Sequence, residues 1–137
     1  MNEITPDQIN RMMTEAWPSA PCVCSELSPT HAVASLTPAA SDLRPGGFIS
    51  GPTLFGVADA ALWFLCFGAS GQIEPLALTS DLSIRFLRPA RGEIVFARAD
   101  LNKAGSRSVV GTITVWTDSF DEPCAVAQGS YVRPRQD

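Results

Sequence analysis

The chain is poor in the groups that recruit polyanions. Lys103 is the only lysine among 137 residues and the formal net charge is −4. The field of the whole molecule therefore does not draw nucleic acid. Histidine is equally scarce: His31 is the only one, and at the start of a strand-like stretch it reads as structural or solvated. No Gly-x-Ser-x-Gly occurs and no orienting acid is evident beside His31, which argues against a serine nucleophile of the triad type. The four cysteines are Cys22, Cys24, Cys66 and Cys124. Cys22-Val23-Cys24 lacks the spacing of a redox CxxC or a zinc knuckle, so no metal is expected. Cys66 sits in an apolar run, where a free thiol packs as a small hydrophobe. The start, Met1-Asn2-Glu3-Ile4-Thr5, shows no basic region leading into an apolar one, so a cytoplasmic location is the expectation. Repeats and low-complexity segments are absent as well.

What the sequence does have is a long apolar stretch behind a glycine-rich loop, RPGGFISGPTLFGVADAALWFLCFGAS over 44–70. The loop ends at Gly51, and the following residues predict a helix over about 52–68. Proline suits the first helical position, because its missing N–H is an orphan there anyway. Between Leu54 and Phe67 every residue is apolar or small except Asp59. Such a helix is expected to be buried on all sides. The Asp59 carboxylate then stands where a charge is costly, unless a partner or a task holds it there. From Leu54 to Ala69 the run would span roughly 24 Å, against a hydrocarbon core of about 30 Å. A core helix is the better reading, with no membrane implied.

The length suits one domain, 1–137. Thr5-Pro6-Asp7-Gln8 is a capping box that opens an amphipathic helix over 5–17, with Ile9, Met12, Met13 and Ala16 on one face. Residues 22–27 and 31–37 read as short strands about a Ser28-Pro29-Thr30 turn. In 76–88, Leu78, Leu82, Ile84 and Phe86 alternate onto one face with Ser80, and Thr79, Asp81, Ser83 and Arg85 onto the other. Strands follow over 93–101, 107–117 and 124–132, with Val95, Ala97, Ala99, Leu101, Val109, Gly111, Ile113 and Val115 inward. The pattern predicts a four-strand antiparallel run with short turns, two added N-terminal strands and a loose tail over 133–137. One long apolar helix in the concave face of a single antiparallel sheet is an α+β architecture. Trp116 and Val110 face away from the inward set and are candidate contacts with a second copy.

Two stretches carry a family resemblance. The first, Arg44 to Asp59, lies along a pattern Asn-x-x-Gly-x-x-His-Gly-Gly-x-x-x-x-Leu-Ala-Asp. It matches at Gly47, Gly51, Ala58 and Asp59 without a gap. The second runs from Thr79 to Ala90 and ends Phe-Leu-Arg-Pro-Ala; Gly129-Ser130-Tyr131 then matches a final Gly-x-Tyr strand. Over about 43–132 the chain resembles the hotdog-fold acyl-CoA thioesterases of the phenylacetate-degradation type, within the 4-hydroxybenzoyl-CoA thioesterase superfamily. It departs at Arg44 for Asn, Ser50 for His and Pro52 for the second Gly.

The resemblance implies a hotdog fold, an antiparallel sheet wrapped around one long central helix. It also implies hydrolysis of an acyl-CoA thioester in a homo-oligomer, a dimer or a dimer of dimers, with sites at the subunit interface. No cofactor is expected beyond the coenzyme A of the substrate. Asp59 would be general base or nucleophile, Gly51 an oxyanion donor at the helix N-terminus, and Thr79 a water-positioning hydroxyl. Ser50 could replace the absent His as a donor to the thioester oxygen, or serve the helix cap. Arg44, Gly47 and Phe48 in the loop are candidate substrate contacts. Arg88, Arg91, Lys103 and Arg107, at strand ends and turns, could meet phosphates. Phe48, Leu54, Phe55, Trp63 and Phe64 are candidate pocket walls. The competing expectation is an acyl-CoA or acyl-carrier binding protein without turnover.

Overall fold

Residues 3–135 are described in the computed structural model. The capping box forms at the start of α1 (Pro6–Ala16): the Thr5 hydroxyl accepts the Gln8 N–H, and the Gln8 side chain accepts the Thr5 N–H. Ile9 and Met13 bury the apolar face of α1, which packs on β1 (Val23–Leu27). β2 (His31–Leu36) pairs back antiparallel on β1. A 3-10 turn over Ala40–Asp42 and a two-residue ladder, β3 (Leu43–Arg44) with β4 (Phe48–Ile49), then deliver the chain to α2 (Gly51–Ser70). β5 (Leu78–Phe86), β6 (Val95–Ala104), β7 (Ser108–Trp116) and β8 (Ala125–Val132) complete the fold.

The large sheet runs β1-β2-β6-β7-β8-β5, with every neighbouring pair antiparallel. It wraps α2, whose residues from Ala61 to Phe67 are all buried. The strands show the helix mostly small residues: Ala97 and Ala99 from β6, Ala125 and Ala127 from β8. At Gly111 in β7 the sheet comes close to the helix: a Cβ would stand 2.9 Å from Leu62 Cδ1 and 3.2 Å from Leu65 Cδ2. Burial of these aliphatic and aromatic side chains is the main force holding sheet to helix.

Four features differ from the sequence-based expectation. β5 is not the first strand of a meander: the 87–94 segment is a crossover, and β5 pairs with β8 at the far edge while β6 pairs with β2. α2 begins one residue before Pro52 and ends past Gly68. The left-handed cap is Gly71 (φ 74°), whose N–H closes on Phe67 O at 2.9 Å. Gly68 lies inside the helix, and the β1–β2 turn packs so close to it that a Cβ would stand 3.1 Å from Leu27 Cδ1. Burial of α2 is one-sided in its first turns, since Pro52, Phe55 and Gly56 are exposed. Finally, Arg133 is anchored: its N–H donates to Arg107 O at 2.7 Å, and its guanidinium reaches Ser106 O. Pro134 and Arg135 follow without regular structure, and the last two residues of the expected loose tail, Gln136 and Asp137, lie outside the described residues.

Candidate active site

The first turn of α2 leaves one backbone donor over. Ser50 is the N-cap (φ −70°, ψ 151°), and its Oγ accepts the Thr53 N–H at 3.3 Å. Leu54 N–H closes on Ser50 O at 3.1 Å, and Pro52 has no N–H to place. Among the described residues the Gly51 N–H meets no acceptor, at the positive end of a 20-residue helix. The Ser50 proton is itself engaged, donated to Thr53 Oγ1 at 2.9 Å, and Thr53 donates onward to Asp42 Oδ1 at 2.8 Å. Of the two roles open to Ser50, the structure places its hydroxyl in the cap. Ser50→Ala is expected to lower unfolding free energy by about 1 kcal/mol and to leave kcat near the parent value; urea unfolding and steady-state kinetics check both.

Two turns further on, Asp59 is half-buried and accepts two hydrogen bonds on one oxygen. Thr79 Oγ1 donates to Asp59 Oδ1 at 2.6 Å, and the Tyr131 hydroxyl donates to the same atom at 2.9 Å. Strict alternation puts Thr79 on the polar face with Asp81. The structure corrects this with a β-bulge: Thr79 pairs with Tyr131 and Asp81 with Ser130, so Ser80 is left without a partner. The extra residue turns Thr79 to the inner face, where Leu82 also lies, and leaves Leu78 70% exposed. From the sequence, Tyr131 stands out only as part of the Gly-x-Tyr family signature. No periodicity signals its contact with Asp59, which joins β8 to α2 across 72 positions. Burial pushes the Tyr131 phenol far above its ordinary range, with the Asp59 charge adding to the shift. The hydroxyl therefore stays a donor.

Asp59 opens on a cavity of about 730 Å³. Met12, Met13, Ala16 and Trp17 wall it from α1 and its cap, Val57, Ala60 and Trp63 from α2, and Pro75, Ala77 and Leu78 from the approach to β5. Trp17 lies edge-on to Trp63, with ring centroids 6.1 Å apart. Cys22 lines it as well; burial raises its thiol to about 11, so it is no nucleophile at neutral pH. Cys66 is fully buried, as a packing thiol should be. Of the candidate walls, Trp63 faces this cavity, Leu54 and Phe64 are core, and Phe55 is exposed.

The basic candidates divide between the two ends of the sheet. Arg91 lies with the loop: its guanidinium is 4.2 Å from the Phe48 ring centroid and donates to Gly46 O at 2.5 Å. Arg44 pairs with Phe48 in the β3–β4 ladder, and Gly47 (φ 80°) makes its turn. Arg88 is near Glu122 at 3.8 Å, on the same end. Lys103 and Arg107 stand at the opposite end, by the β6–β7 turn, and do not join them. Contrary to the sequence reading, His31 has an acid beside it, Glu26 at 3.4 Å, and Ser28 at 2.9 Å on its other ring nitrogen. Ser28 Oγ also accepts the N–H groups of Thr30 and His31, which makes it a turn residue.

A central helix wrapped by one antiparallel sheet, with an acid on the helix beside an apolar cavity, defines a hotdog domain. The model of the thioesterase superfamily matches residues 46–124, and the chain belongs to that family. Similar solved structures include a protein described as a candidate thioesterase from Silicibacter sp. TM1040, 27% identical. It superposes with a TM-score of 0.83 over 96% of this chain and 93% of that one. A thioesterase from Haemophilus influenzae is 18% identical (TM-score 0.80, covering 96% and 91%). The PaaI protein from the phenylacetic acid degradation operon of E. coli is 22% identical (TM-score 0.76, 95% and 94%). No curated protein sequence matches the chain.

Proposed function

We propose that the protein is an acyl-CoA thioesterase whose site is completed by a second copy of the chain, and that Asp59 drives attack on the thioester carbonyl. The observation that carries this reading is the Asp59 carboxylate, pinned on one oxygen and opening on a large apolar cavity. The acyl group enters that cavity, whose size is within the range of about 300–1,000 Å³ usual for small-molecule sites. Asp59 takes a proton from water as the water oxygen bonds to the carbonyl carbon. The carbonyl oxygen becomes an oxyanion, the C–S bond then breaks as the carbonyl re-forms, and the departing thiolate takes up the proton held by Asp59, which restores the carboxylate. Asp59 could instead attack directly as nucleophile. The reaction as written consumes only thioester and water.

The oxyanion donor in this scheme is the Gly51 N–H, and within one chain it is too far away. Gly51 and Asp59 are separated by about 12 Å along α2. Gly51 lies against Phe86 at the end of β5, its would-be Cβ 3.2 Å from the ring, while Asp59 is bound to Thr79 near the strand's start. β5 also offers the open edge of the sheet. The β1 edge carries a bulge and is covered by Asn10, whose side chain bonds both the N–H and the C=O of Cys24. No strand covers the outer edge of β5 among the described residues, and Leu78 and Phe86 on it are 70% and 52% exposed. Two copies pairing antiparallel through β5, about a two-fold near its middle, bring Thr79 and Asp59 of one to Phe86 and Gly51 of the other. Arg88 and Arg91 then arrive with Gly51, where coenzyme A phosphates can meet them.

The test is free-thiol release from a panel of short, long and aromatic acyl-CoAs. Release from at least one supports a thioesterase. Binding without release from any would make the protein an acyl-CoA binding module.

A further inference from the structure

The mechanism proposed above needs one carboxylate oxygen of Asp59 free and correctly aimed, and the structure shows how that is arranged. An ionised carboxylate has about four lone-pair sites on two oxygens. Thr79 and Tyr131 both donate to Oδ1, and no described residue donates to Oδ2. The two donors come from neighbouring strands: Thr79 and Tyr131 are cross-strand partners, brought to the same face by the bulge at Ser80. Thr79 is exposed in the single chain, whereas Tyr131 is only 4% exposed. The tyrosine ring is thus core, pairing with Val109 on its other side, and its hydroxyl reaches the site from beneath.

We propose that Tyr131 is a positioning residue of the hydrolysis: with Thr79 it occupies Asp59 Oδ1, so that Oδ2 is the oxygen that meets water or the thioester. A single donor would leave the carboxylate free to rotate about its Cβ–Cγ bond, which is a broad, soft torsion. Two donors from a fixed strand pair set its plane. The Thr79 hydroxyl then donates its hydrogen bond to Asp59, and its role is shared with Tyr131 rather than directed at water. The inference rests on the thioesterase reading, but the hydrogen bond beneath it can be observed without turnover.

Tyr131 is the only tyrosine in the protein, so one ¹³Cζ-tyrosine label gives one resonance. Asp59→Asn and Asp59→Ala are expected to shift that resonance, because each alters the acceptor of its hydroxyl. An unmoved resonance in both overturns the proposal. Tyr131→Phe keeps the ring and deletes only the hydroxyl, and is expected to lower kcat about tenfold, the scale of one hydrogen bond to a charged group. KM should stay within about twofold, since the Tyr131 ring that helps line the cavity is kept and only its hydroxyl is lost. A purely packing role would move neither kcat alone nor the label. Parent-level kcat in Tyr131→Phe overturns the positioning role. If the parent releases no thiol from any acyl-CoA while the label still responds to Asp59, the functional reading fails and takes the catalytic role of Tyr131 with it.

Discussion

Asp59→Asn is expected to fold like the parent and to lose thioester turnover by at least about 10², the scale of a lost general base. That loss corresponds to about 2.7 kcal/mol of barrier. The substitution separates the two oxygens of the carboxylate. The amide carbonyl can take the place of Oδ1 and still accept from Thr79 and Tyr131, so the link from α2 to β5 and β8 survives. The amide nitrogen then occupies the place of Oδ2, and it can neither accept a proton nor attack a carbonyl. A nucleophilic role for Asp59 predicts the same loss, so the result tests the residue before it tests the route. Thermal unfolding and thiol-release kinetics on the same preparation decide the matter. A variant at parent kcat removes Asp59 from the mechanism, and one that fails to fold makes the carboxylate structural.

The core is legible in the sequence wherever one face is uniformly apolar. Val95, Ala97 and Ala99 in β6 and Val109, Ile113 and Val115 in β7 are all buried, as strict alternation predicts. The Thr5 capping box forms as written in Thr5-Pro6-Asp7-Gln8. Alternation fails in β5, where one unpaired residue at Ser80 reverses the faces of everything before it. Nothing local marks that bulge, and it is the feature that brings Thr79 to Asp59. The position of β5 beside β8 is likewise a long-range fact; a turn-rich 87–94 stretch reads equally well as a hairpin or as a crossover. Asp59 stands out as the lone acid of an apolar helix, whereas Tyr131 does not, because a buried aromatic at the end of a strand looks like core until its hydroxyl is followed. The expected burial of α2 on all sides also fails for a reason composition hides. Gly56 and Ala60 are small rather than greasy, and they edge an opening instead of filling it.

A mixed dimer should recover activity that neither parent variant has. In the geometry proposed here each site takes Gly51 from one chain and Asp59 from the other. Asp59→Ala removes the base from its own chain and leaves Gly51 intact. Gly51→Pro removes the free N–H at the first position of α2, which proline suits, and its Cβ, 3.2 Å from the Phe86 ring, requires that ring to shift slightly. The N-cap at Ser50 already has the extended backbone that a following proline requires. Loss of an oxyanion donor is expected to lower kcat by about 10²–10³, so both homodimers should be nearly inactive. In the heterodimer one site receives both lesions, and the other combines the intact Gly51 of the Asp59→Ala chain with the intact Asp59 of the Gly51→Pro chain. Purified heterodimer, carrying two different affinity tags, should therefore show about half the parent kcat per dimer, because one of its two sites is whole. Were Gly51 and Asp59 to act within one chain, every site in the heterodimer would carry one lesion and the mixture would stay dead. An inactive heterodimer built from two variants that fold and pair would thus refute the shared site.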